Sequence, residues 1–144
     1  RNQDERVIKQ LQMHIEEERR LRAETQEMAE GISMAKFNWS DGQLVPRWVC
    51  LSIDGRLLLY GPIKDAYTDR KQFKGVRLAE VQALHVGLSA PPRKRRVLRP
   101  PPKDPLQILT LVTRTRDFTF QCPTPSTAMH WGLAIARRLA GTAA

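Results

Sequence analysis

Residues 3–30 contain no glycine or proline and are rich in strong helix formers. Apolar side chains recur at Val7, Ile8, Leu11, Ile15, Leu21 and Met28, roughly one helical face, with a charged gap over 16–20. Gly31 is placed to stop the helix, because glycine takes the left-handed conformation that ends one. The stripe is too short and interrupted for a coiled coil by itself. Two uses stay open: docking on the same chain, or pairing with a partner through Ile8, Leu11 and Ile15.

Beyond Gly31 the pattern changes to short strand-like runs. The runs 32–39, 47–53, 56–61, 106–113 and 118–122 read as strands, and 75–87 as two strands with a bend near Ala79 and Glu80. Ser40, Asp41 and Gly42 form one turn, while Asp54 and Gly55 join two runs as a hairpin signal. Pro123 and Pro125 break the last strand. From there to 140 apolar residues fall at Ala128, Trp131, Ile135 and Leu139, with Ser126 as the expected N-cap and Gly141 as the stop. The pattern predicts a mainly β fold: seven antiparallel strands in a nearly closed sheet, capped by a helix over 126–140. Residues 1–30 form the N-terminal helix and 31–144 the domain. Trp131 belongs in the core, since its indole buries a large apolar area.

Charge sharpens this picture. Residues 1–30 carry six Lys or Arg against eight Asp or Glu, a net of −2, which leaves +11 for the rest of a chain whose total is +9. So basic a domain favours anionic partners. The segment 88–105 is proline-rich and holds Arg93, Lys94, Arg95, Arg96 and Arg99, and proline keeps it out of any ladder. It reads as a mobile basic loop between the fifth and sixth strands, suited to nonspecific attraction to an anionic membrane. A nuclear import signal fits the same composition. Nucleic acid is the weaker candidate, because no aromatic platform lies in the loop.

Chemistry is harder to find. The three histidines and two cysteines have no metal-ligand spacing. There is no Gly-rich phosphate loop or nucleophile elbow, and no acid pair is set for proton transfer. The chain reads as non-enzymatic, with no catalytic residue, metal or cofactor. Cys50 and Cys122 lie in apolar runs and are expected as buried free thiols. No run of eighteen apolar residues exists to span a bilayer.

The order of elements over 31–140 resembles the pleckstrin-homology (PH) domain superfamily. The hairpin PRWVCLSIDGRLLLYG is similar to its second and third strands, GVRLAEV to its fourth, and RDFTFQCPTPSTAMHWGLAI to its last strand and helix, with Trp131 at that helix's tryptophan. More narrowly, the chain resembles the inner-membrane-complex sub-compartment proteins of apicomplexan parasites. The resemblance implies a phosphoinositide site made by a lysine late in the first strand and a basic-x-Arg opening the second. Lys36 and Arg47 fill two of those places. Val45 stands at the third, and Asp41 adds a negative charge to the turn between the strands. The implied function is a docking or scaffold module for protein partners, with a degenerate lipid site. It would act in the cytoplasm, peripheral to a membrane, with an anchor supplied outside these residues. The alternative is a reader of phosphoinositide or phosphatidic acid.

Overall fold

A computed structural model describes residues 2–38, 40–87 and 105–142. The first helix, α1 (Asn2–Glu30), is followed by seven strands: β1 (Ile32–Asn38), β2 (Gln43–Leu51), β3 (Leu57–Gly61), β4 (Lys74–Arg77), β5 (Val81–Val86), β6 (Ile108–Thr113) and β7 (Asp117–Gln121). The second helix, α2 (Pro125–Thr142), closes the order. One antiparallel sheet runs β4-β3-β2-β1-β7-β6-β5. Its two halves are joined where β1 meets β7, at Ala35 with Gln121 and Lys36 with Phe120. The short helical turn Leu78–Glu80 carries the chain from one sheet edge to the other, so the sheet nearly closes on itself.

The predicted bend at Ala79 and Glu80 is this corner. Leu78 there is fully buried, and α2 packs on the corner and along β5 and β6. Trp131, Ala128, Ala134 and Ile135 point into the barrel with Leu109, Leu111, Phe118 and Phe120. Leu133 is half exposed, and Ala134 takes the inward position.

Two helix boundaries differ from expectation. Thr124, not Ser126, caps α2: its hydroxyl accepts from the Thr127 amide at 3.1 Å, and Pro125 occupies the first helical position, where no amide is needed. Gly141 does not stop the helix, which runs to Thr142. Strand β2 begins at Gln43 rather than 47, taking in Pro46. Proline is tolerated there because β3 pairs with β2 only from Trp48 to Leu51, so beside Pro46 that edge of β2 has no ladder to break.

The two uses left open for α1 divide along its length. Its last turns dock. Met28 is fully buried, Glu24 bonds to Arg137 and Arg138, and Glu27 lies 3.3 Å from His130. Burial pushes the Glu24 carboxyl up, but the two arginines outweigh this and hold its pKa below the usual value. The carbonyls of Ala29 and Glu30 accept from Arg70, and Glu30 also from the Trp48 indole at 3.0 Å. Gly31 then turns with φ of 85°, pressed so close to β2 that a side chain would meet the Val49 carbonyl at 2.5 Å. Ile8, Leu11 and Ile15, by contrast, stand about half exposed.

Cys50 and Cys122 are buried free thiols, and burial pushes the Cys122 pKa up to about 12. Residues 88–104, which include Arg93, Lys94, Arg95, Arg96 and Arg99, lie outside the described residues. Within 88–105 only Pro105 is described, opening the short helical turn Pro105–Gln107 before β6.

Candidate functional site: a cationic mouth

Side chains alternate across a strand, so the inward rows of the barrel can be followed outward from the core. On β1 the row is Ile32, Met34, Lys36, and on β2 it is Val49, Arg47, Val45. Leu58 faces Val76 across β3 and β4, and one step on Tyr60 faces Lys74. On β7 Phe120 and Phe118 are core, and Arg116 precedes them by the same two-residue step. Apolar through the barrel, the rows of β1, β4 and β7 end in cations at one mouth, at the far end of the strands from Leu78; the β2 row brings Arg47 there before ending in Val45, and the β3 row ends in Tyr60.

The mouth opens into a cavity of about 600 Å³ lined by five cations, Lys36, Arg47, Lys64, Lys74 and Arg116, against one carboxylate, Asp65. Its floor is aromatic. The Tyr60 ring lies 6.0 Å from Phe120 and 6.2 Å from Phe118. Lys36 Nζ sits 5.1 Å above the Tyr60 centroid, and the Arg116 guanidinium 4.4 Å from that of Phe118. Among the described residues no carboxylate forms an ion pair with Lys36, Arg47, Lys74 or Arg116. Lys36 donates a long hydrogen bond to the Phe37 carbonyl at 3.4 Å, and Arg47 donates to the Pro46 carbonyl at 2.8 Å.

The consequence is electrical strain at Lys36. Burial first, then the like charges of Arg116, Lys74 and Arg47, bring its pKa from the usual 10.5 down to about 8. A half-buried ammonium facing three cations is costly to hold charged. A bound anion would reverse that cost.

Two expectations change here. The base count from one hairpin gave two cations, Lys36 and Arg47, with Val45 as the gap. Val45 does line the cavity, directly opposite Lys36. Lys74 and Arg116 come to the same mouth from β4 and the β6–β7 turn, far away in sequence. The signal that would have found them is the two-residue step outward from Val76 and Phe118. Asp41, expected to repel an anion, is absent from the lining. Its carboxylate accepts from the Gln43 amide at 2.9 Å and closes the turn, where Gly42 has φ of 74°.

A larger groove of about 1090 Å³ runs between α1 and the β2–β3 hairpin, and it is mostly apolar. Of its two arginines, Arg70 is engaged by backbone carbonyls. The cluster of cations lies instead at the smaller cavity. Among the described residues no cluster of His, Cys, Asp or Glu could hold a metal ion, and no helix is long and apolar enough to cross a membrane.

Solved structures superpose on this architecture. The inner membrane complex sub-compartment protein 3 of Toxoplasma gondii matches with a TM-score of 0.58 at 9% identity, over 86% of each chain. The N-terminal PH domain of human ARAP2 matches with 0.55 at 13% identity, over 78% of this chain and 79% of that one. The fold is the PH fold. The PLC21 protein of S. officinalis matches with 0.57 at 13% identity over 78% of this chain, which spans only 15% of that much longer one. No protein-family model and no curated protein matches the sequence. At these identities the likeness concerns the PH fold alone, and the site rests on this chain's own residues.

Proposed function

We propose that this PH-fold domain is a membrane-surface module that holds the phosphorylated headgroup of an acidic lipid at the cationic mouth. The observation that carries the reading is the convergence of Lys36, Arg47, Lys74 and Arg116 on one cavity, with no carboxylate among the described residues paired to them. Groups that repel one another in the empty site gain when an anion enters. Guanidinium forks at Arg47 and Arg116 supply paired donors, and the lysines supply point charges. A phosphomonoester carries close to two negative charges and three acceptor oxygens, enough to engage several of these cations at once.

This reading replaces a degenerate site with one assembled from three strands and the β6–β7 turn, and it follows the lipid-binding alternative. Protein docking is kept as a second role because a separate observation favours it: the exposed apolar stripe of α1.

Vesicle sedimentation tests the proposal. Neutral vesicles carrying a phosphoinositide or phosphatidic acid are compared with vesicles brought to the same surface charge with phosphatidylserine, over a salt series. A soluble inositol phosphate serves as competitor. Binding should favour the phosphomonoester lipids, persist at moderate salt and disappear in Lys74→Ala/Arg116→Ala. Competition by the soluble compound would show that the phosphate, not the bilayer, is read. Equal, salt-sensitive binding to both vesicle types would mean nonspecific attraction and sink the reading.

A further inference from the structure

The helix α1 stands clear of the domain over most of its length, and Leu21 is its first apolar residue to line the groove beside the β2–β3 hairpin. Among the described residues every hydrogen bond and ion pair linking α1 to the rest of the chain falls at or after Glu24. Val7, Ile8, Leu11, Met13 and Ile15 are 47–70% exposed, and Leu21 is 41% exposed. An isolated helix of this length is marginal in water, and most helix stability in proteins comes from packing an apolar face. The stripe calls for a cover.

The charge pattern around the stripe selects one. Ile8, Leu11 and Ile15 follow the 3–4 spacing of a packing seam. The same spacing continued backward meets Asp4, and continued forward meets Glu18 and then Arg22. Side by side in parallel, two such helices would place Asp4 on Asp4, Glu18 on Glu18 and Arg22 on Arg22, three repulsive layers. Turned antiparallel with Leu11 against Ile15 of the other copy, Asp4 meets Arg22. On the flanks Glu5 approaches Arg19 and Val7 approaches Leu21. One layer is imperfect: Ile8 lies against Glu18, whose carboxylate is exposed and held 3.1 Å from His14. Its aliphatic stem can cover Ile8 while the charge stays in water. A bilayer fits less well, since residues 1–30 carry a net −2 that acidic lipids would repel.

We infer that α1 pairs antiparallel with α1 of a second copy of this chain, through Leu11 and Ile15 and the Asp4–Arg22 charge match. The paired segment, roughly residues 4–22, spans about 28 Å of helix. That is a small interface, so the dimer should be weak, with a dissociation constant on the order of micromolar to tens of micromolar. It would also set two cationic mouths on one particle, raising avidity for a surface.

Sedimentation equilibrium on the full chain tests this. The wild type should be a concentration-dependent dimer, and Leu11→Glu should be monomeric with the thermal midpoint of dilute, dissociated wild type, because Leu11 is more than half exposed in its own domain. Asp4→Arg and Arg22→Asp should each weaken the dimer roughly tenfold, and the double exchange should restore it to within about threefold of wild type. A monomer at all concentrations would overturn the inference. So would a dimer indifferent to Leu11→Glu, or a double exchange that fails to rescue, which would point to another orientation or another partner for the stripe. None of these variants touches the cationic mouth, so failure here leaves the headgroup proposal standing.

Discussion

The inward rows of the barrel and their last positions at the mouth obey opposite rules. In the interior Met34, Val49, Val76 and Phe118 are nearly excluded from water and pack as one cluster. One step further out on the same rows stand Lys36, Arg47, Lys74 and Arg116. The backbone geometry and the face of the sheet are the same. What changes is the chemistry, from contacts that stabilise the folded state to charges that repel one another within it. Natural sequences tolerate such local conflict where binding requires it. The contrast separates residues that hold the fold from those held by it for another purpose.

Breaking the packed side should have the largest effect. Trp131→Ala removes a core aromatic and should cost about 3–5 kcal/mol in chemical denaturation. A loss below about 1 kcal/mol would mean that α2 does not close the barrel as described. On the cationic side, Lys74→Ala or Arg116→Ala should weaken phosphate-lipid binding roughly tenfold each, with little change in the denaturation midpoint. Equal damage to stability and binding would erase the distinction between the two regions.

Acidity sharpens it further. With its pKa near 8, Lys36 of the free protein loses its proton between pH 7 and 9. Binding an anion needs that proton, so affinity should fall by up to about tenfold over this interval. Stability should move the other way. The unfolded chain, with an ordinary lysine, binds more protons than the folded one from about pH 8 to 10.5, so this group's unfavourable contribution fades as pH rises through that window. By the same logic Lys36→Met should abolish headgroup selectivity yet stabilise the empty protein by roughly 0.5–2 kcal/mol at neutral pH. The smallest effect is expected at Asp41. Because its carboxylate serves the turn, Asp41→Asn should leave phosphate affinity within about twofold, read by the same vesicle assay.

Much of the fold was legible because it is written locally. Short apolar runs at Leu57–Gly61 and Ile108–Thr113, the turn residues at Gly42 and Gly55, and the 3.6-residue spacing through Trp131 each declare one element. Gly31 and the bend near Ala79 and Glu80 were equally readable. The limits of α2 and β2 were not. Thr124 competes with Ser126 as a cap, and Pro46 is acceptable only because β3 ends early. The site was half legible: Lys36 and Arg47 belong to one hairpin whose pattern can be read in a line. Lys74 and Arg116 reach the same mouth only through the pairing of β3 with β4 and of β1 with β7, which is a property of register. The stripe at Ile8, Leu11 and Ile15 was visible, but its exposure depends on where the domain begins to hold the helix, at Glu24.

The central claim is that four cations were brought together to receive a phosphate, and the proton on Lys36 reports it most directly. Following the lysine side-chain resonances by NMR through a pH titration, with Lys36→Met to assign the signal, gives its pKa with and without a soluble inositol phosphate. The account predicts a value near 8 in the free protein. Ligand should return it to about 10 or above, the range of an ordinary lysine. An ordinary lysine value in the free protein, or a low value that the phosphate leaves unmoved, would contradict it.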